Sequence, residues 1–213
     1  MNARTQQRMA VAGTLVVLLG SVSCGNVART GRSPSFLVIE KLVASSGAKS
    51  GEFGGFLNSD VVTLVKVTIG GVEQQVPTIF NDVGKVTLRT LLKDAGNPGA
   101  QTSPSNLNVI TVDRYRVVFR RSDGRNTQGL DVPYAFDGAA TATITPGPLE
   151  VGFELVRHQA KEEAPLRALA GGGGRLFIST IADVTFYGHD AAGNEVSVTG
   201  SISVDFADFG DPS

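Results

Sequence analysis

Among its 213 residues this chain has one cysteine, two histidines and no tryptophan. A lone thiol cannot close an intrachain disulfide. Two histidines without H-x-x-x-H or C-x-x-C spacing cannot build a His-based zinc site. No charge of either sign is in excess: 19 basic residues stand against 20 acidic ones. That balance excludes a generally basic nucleic-acid binder and a disordered polyelectrolyte. Tyrosine occurs only at Tyr115, Tyr134 and Tyr187, so an aromatic sugar platform would be thin. Gly171 to Gly174 is followed by Arg175, without the GK[ST] ending of a phosphate loop, and no G-x-S-x-G elbow is present. What the chain does have is 41% hydrophobic residues, enough for one domain's core, and 26 glycines that cluster with the prolines as turns.

Residues 1–23 read as an export signal. Arg4 and Arg8 give a positive start, and Met9 to Leu19 is an uncharged apolar run of 11 residues. A bilayer span needs about 20. Gly20-Ser21-Val22-Ser23 is a small-residue region that runs into Cys24. The stretch LLGSVSC resembles the lipobox of bacterial lipoproteins, with Ser23 before the cut and Ser21 where the family usually has Leu. That departure keeps ordinary signal-peptidase cleavage open. The resemblance implies cleavage before Cys24, diacylglycerol on its thiol and an acyl chain on its new amine. Such chains anchor stably, at about 0.8 kcal/mol per buried CH₂. Gly25 stands where an inner-membrane lipoprotein often has Asp, so the resemblance implies outer-membrane delivery in a Gram-negative host. The expected layout is a signal over 1–23, a tether over 24–35, a β-domain over 36–207 and an acidic tail over 208–213.

The body alternates strand-like runs with turn clusters. Phe36 to Val43 is β-branched and aliphatic, and Ser45 to Asp60 reads as a loop that tucks Phe53 and Phe56 against the core edge. Val61 to Ile69 and Val72 to Val76 read as a hairpin about Gly70-Gly71. Val86 to Leu92 carries two signals. Leu88, Leu91, Leu92 and Ala95 have helical spacing, but Lys85-Val86-Thr87-Leu88 prefers strand and predicts one here. Asn97 to Asn108 is a loop. Val109 to Arg121 is the clearest strand, with Asp113, Tyr115, Val117 and Phe119 expected inward and Val112, Arg114, Arg116, Val118 and Arg120 opposite. Asp131 to Phe136 and Ala139 to Thr145 read as short strands parted by Asp137-Gly138. In Leu149 to His158, Val151, Phe153 and Leu155 fall on one side and Glu154 and Val156 on the other. Lys161 to Ala170 offers the one helix, interrupted at Pro165. Arg175 to Tyr187 and Glu195 to Phe206 form a long hairpin about Asp190 to Asn194, with Phe186, Val196 and Val198 close together.

Nine or ten strands with no βαβ pattern give an all-β, antiparallel sandwich or barrel with at most one short helix. The closing stretch VTFYGHDAAGNEVSVTGSISVDF resembles the last two strands of bacterial immunoglobulin-like and fibronectin-III-like modules, which often turn on DxxGN. The resemblance implies an immunoglobulin-like β-sandwich with long loops at 45–60, 97–108 and 159–174.

Candidate sites are few. Arg114, Arg116 and Arg120 line one strand face, as a surface for an anionic ligand or partner, or as pairs for acids on neighbouring strands. Asp190, Asn194 and Glu195 gather oxygens at one turn, short of the about six to eight that calcium takes, and Asp and Asn are also turn formers. His158 stands at a strand end and His189 at a hairpin tip, neither with a nucleophile and acid in reach of the sequence pattern. No catalytic residue, metal or cofactor is therefore assigned, and Cys24 is the lipid attachment site. The expected function is that of a non-enzymatic, exported envelope lipoprotein, held to the membrane by its lipid. It binds a protein or other envelope partner, or fills a structural role, without nucleic acid. Binding residues are expected in the loops 45–60 and 97–108. The alternative is a lipid-anchored hydrolase or carbohydrate-binding protein that uses Asp and Glu residues in a cleft, with carboxylates about 5–10 Å apart.

Overall fold

The computed structural model describes residues 31–94 and 96–209. The signal, Cys24 and residues 210–213 lie outside them. The described residues form an all-β fold with several antiparallel sheets and one short α-helix. One sheet holds β1 (Ser35–Ser45), β5 (Asp82–Leu92) and β10 (Leu149–Val156), in the order β1-β5-β10. The other holds β2 (Phe56–Asp60), β8 (Ile110–Arg120), β9 (Phe136–Ile144), β11 (Phe177–Asp190) and β12 (Glu195–Ala207), in the order β2-β12-β11-β8-β9. Two hairpins stand outside both sheets: β3 (Thr63–Ile69) with β4 (Val72–Thr78), and the small β6 (Gly96–Asn97) with β7 (Ala100–Gln101). Helix α1 (His158–Glu162) and a 3₁₀ turn at Leu166–Leu169 follow β10.

Alternation explains the core. Val86 and Leu88 of β5, Phe153 of β10, Val117 and Phe119 of β8, and Ala182, Val184 and Phe186 of β11 are buried in one cluster. Aromatic rings join the two sheets: Phe153 meets Phe186 and Tyr115 edge-on, each at 5.3 Å between centroids. Each fully buried large apolar side chain contributes about 1.5–3 kcal/mol. Gly84 makes room for this cluster, because a Cβ there would lie 2.3 Å from Cζ of Phe153. The Tyr115 hydroxyl accepts the Glu154 N–H at 3.1 Å. Burial pushes that phenol up from its usual pKa, and the Glu154 hydrogen bond opposes the shift.

Residues 86–92 are strand, in the middle of the three-stranded sheet, where Val86, Leu88 and Thr90 turn inward at a period of two. The C-terminal hairpin pairs as expected: Phe186 lies opposite Val198 and Gly188 opposite Val196. Val196 and Val198 are partly buried against the core.

Elsewhere the expectations need correction. Strand β2 lies within the stretch read as a loop and pairs parallel to β12, so the second sheet is not wholly antiparallel. Phe56-Leu57-Asn58-Ser59 has no β-branched residue, and it is the open edge of β12 that makes it a strand. In β8 a bulge at Asp113 shifts the register, so Val112 is buried and Asp113 exposed, the reverse of the expected faces. A second bulge, between Glu154 and Val156, turns Val156 inward together with Leu155. Strand β9 runs unbroken through Asp137-Gly138, because Gly138 lies under the Tyr115 ring. Only an isolated bridge, Gln128 to Val132, stands where a strand over 131–136 was expected. The helix starts earlier than expected, at His158, and stops before Pro165.

Candidate functional site

The five-stranded sheet carries the arginine face. Arg116 reaches Asp137 of β9 at 2.6 Å, and Arg114 reaches the same carboxylate at 3.5 Å. Arg120 reaches Asp183 of β11 at 2.6 Å, and Ser201 donates to that aspartate at 2.6 Å. Burial alone would raise the Asp183 carboxyl, but the Arg120 and Ser201 hydrogen bonds outweigh it and hold the group below its ordinary pKa. Thus all three candidate arginines share a face, and each has an acid from a neighbouring strand. Exposed pairs of this kind contribute about 0–1 kcal/mol each. Arg114, the one held at the longest distance, also lies 3.8 Å above the Tyr187 ring.

At the other candidate cluster, Asp190 accepts the backbone N–H of Ala192 at 2.9 Å and of Asn194 at 2.8 Å, and the Asn194 side-chain amide at 2.9 Å. Burial would raise this carboxyl, but the Asn194, Ser33 and Ala192 donors lower it below its ordinary value. The Asp190 carboxylate and Asn194 therefore meet as the acceptor and the donor of a turn. Glu195 stands across from His189 in the strand register. His189 Nδ1 faces Asp113 at 3.5 Å, which the Asp113 bulge makes possible. His158 presents both its backbone N–H and its ring Nδ1 to Asn81 Oδ1, at 2.7 and 2.8 Å, and ties the start of α1 to the approach to β5. Among the described residues no group of three or more His, Cys, Asp and Glu converges as a metal site.

The 45–60 stretch shapes a groove of about 520 Å³ lined by Phe53, Phe56, Leu57 and Phe209, with Lys49 and Asp60 among its polar groups. Phe53 is half-buried under Lys85, while Phe56 is exposed. Asp60 accepts from Thr63 Oγ1 at 2.6 Å and from the Phe209 N–H at 3.0 Å. The 97–108 stretch holds the exposed Leu107 beyond the small β6–β7 hairpin.

Two features escaped the sequence. Lys161, in a charged Lys-Glu-Glu run, is 1% exposed and meets the fully buried Asp82 at 2.9 Å. That aspartate also accepts from Ser59 Oγ at 2.5 Å and from the Gly47 N–H at 2.9 Å. The second feature is the β3–β4 hairpin. Its strands were legible, but not its isolation from both sheets. Val65 pairs with Val76, Val67 with Gln74 and Ile69 with Val72, so five β-branched side chains share one face. Val67, Ile69, Val72 and Val76 are 39, 55, 61 and 37% exposed. Lys66 and Glu73 fall on the opposite face. Gly70 and Gly71, with φ of +61° and +84°, supply the tight turn between the strands. No family model, curated protein or solved structure matches the chain.

Proposed function

We propose that this chain is a non-enzymatic, immunoglobulin-like envelope lipoprotein that holds a protein partner on the apolar face of its β3–β4 hairpin. The hairpin carries the reading. A two-stranded hairpin alone is marginal in water. This one presents a row of exposed β-branched side chains with its charges turned away, as a surface does when another apolar surface covers it. An immunoglobulin-like sandwich is supported by the three-against-five strand order and by connections that cross from one sheet to the other, such as β9 to β10 and β10 to β11.

The placement of the hairpin fits an anchored molecule. Ser33 hydrogen-bonds Asp190, so the described chain begins beside the β11–β12 turn. Asp60 of β2 pairs with Ala207 at the far end of β12, and the hairpin follows directly. The 14 residues of β11 span about 45 Å between these poles at ~3.4 Å per residue. A lipid on Cys24 would thus hold one pole at the membrane and display the hairpin at the other.

The test is to extract the full-length protein from its membrane in mild detergent and size it beside a Val67→Asp/Val72→Asp variant. The wild type is expected in a complex larger than itself, and the variant at its own mass with an unchanged unfolding transition. A wild type that migrates alone, or a variant that keeps the complex, overturns the reading.

A further inference from the structure

At the pole opposite the hairpin, the two sheets part around a second cavity of about 520 Å³. Its floor is made by Ser35 and Leu37 of β1 and by Gly188 and Val196, and its rim carries Tyr187, Arg114, Asp113 and Glu195. We propose that this cavity binds a neutral, hydroxyl-rich sugar.

Three observations carry the proposal. The first is an unsatisfied buried group. Ser35 is 2% exposed, its Oγ has no hydrogen-bond partner, and it lines the cavity. A buried hydroxyl without a partner costs about 1–3 kcal/mol, a cost that a ligand hydroxyl removes once a side-chain shift uncovers the Oγ.

The second is the way the backbone is bent to build the rim. The β8 bulge swings Asp113 outward, and the partner strand accommodates the bulge at Gly188, where a Cβ would lie 2.2 Å from the Thr111 carbonyl oxygen. Bulges recur where a side chain must be re-aimed next to a site.

The third is the balance of the polar groups. Arg114 reaches Asp137 only at 3.5 Å and otherwise rests on the Tyr187 ring, so its N–H groups remain available. Asp113 faces His189 at 3.5 Å, and Glu195 has no partner among the described residues. Donors and acceptors of both charges therefore surround a cavity with no net charge from Lys93, Arg114, Asp113 and Glu195. A sugar hydroxyl both donates and accepts, so it satisfies such a rim without bringing a charge of its own. Tyr187 and Phe36 add aromatic side chains to the lining, and the volume falls within the range of about 300–1,000 Å³ typical of small-ligand sites.

The cavity stands apart from the hairpin. Full-length protein in detergent is screened on an array of neutral hexose and N-acetylhexosamine oligosaccharides. The array also holds uronic-acid sugars and phosphoethanolamine, and hits are titrated calorimetrically. Binding of a neutral oligosaccharide is expected, little changed by salt. It should be weakened about tenfold or more by Glu195→Gln and by Tyr187→Ala, and unchanged by Val67→Asp/Val72→Asp. Ser35→Ala should weaken binding while the melting temperature stays level or rises, an outcome that a purely structural role for the hydroxyl would not give. The proposal is overturned if no neutral oligosaccharide binds, if only the charged probes bind and salt abolishes it, or if binding survives Tyr187→Ala and Glu195→Gln unchanged.

Discussion

Lys161 and Asp82 show how a single pair can clamp distant parts of a chain. The ammonium comes from α1, the carboxylate from the start of β5, and the remaining bonds to Asp82 come from Ser59 of β2 and the backbone at Gly47. Such a pair is weak evidence for net stability, but removing one partner leaves a buried charge and costs about 3–5 kcal/mol. Lys161→Met should lose stability on that scale in urea unfolding, and adding Asp82→Asn should restore part of it; additive losses would show that the two groups are not coupled. None of this was legible in Lys161-Glu162-Glu163, which reads as a solvated run, because the burial depends on an acid far away in sequence. Asp190 was legible as a turn former, and its pH behaviour follows from the structure. Its folded-state pKa lies below the unfolded value of about 4. Its contribution is therefore present above about pH 4 and is lost as pH falls through the folded value. Asp190→Asn should flatten the fall of stability with pH below about 4; an acid limb identical to the wild type would contradict this assignment.

At the scale of elements, alternation foretold β8, β10, β11 and β12, because each has one face in the core and the other outward, while residue type foretold β1 and β5. It failed where the backbone slips by one residue. The bulge at Asp113 reverses the faces at the start of β8, and that reversal is what puts Asp113 beside His189 and at the mouth of the second cavity. A bulge leaves no mark in composition, so the sequence pattern could place Tyr115, Val117 and Phe119 correctly and still misplace Val112. Gly188→Ala tests the bulge directly. The added Cβ meets backbone rather than a flexible side-chain end, and overpacking of this kind costs about 1–3 kcal/mol. An unchanged denaturation midpoint would mean that the close approach to Thr111 does not exist. The short β2 illustrates the opposite failure: its residues carry no strand signal, and its neighbour β12 supplies the structure.

For the whole molecule, the sequence was informative about fold class and silent about polarity. The strand count points to an all-β protein, and the lipobox-like stretch carries the proposed anchor. Which end the proposed anchor would hold follows only from the parallel β2–β12 pairing and from the Ser33–Asp190 contact. The export reading expects Cys24 to carry diacylglycerol and an acyl chain. Mass spectrometry of the mature N-terminus should find both, and an unmodified Cys24 would remove the anchor from the account. The central claim, that the hairpin meets a protein partner at the pole away from the anchor, is tested most directly by a photo-crosslinking side chain placed at Ile69 in the intact envelope, with Thr87 on the three-stranded sheet as the control position. The account predicts one discrete protein adduct from position 69 and none from position 87; adducts only to lipid, or equal yields from both positions, would contradict it.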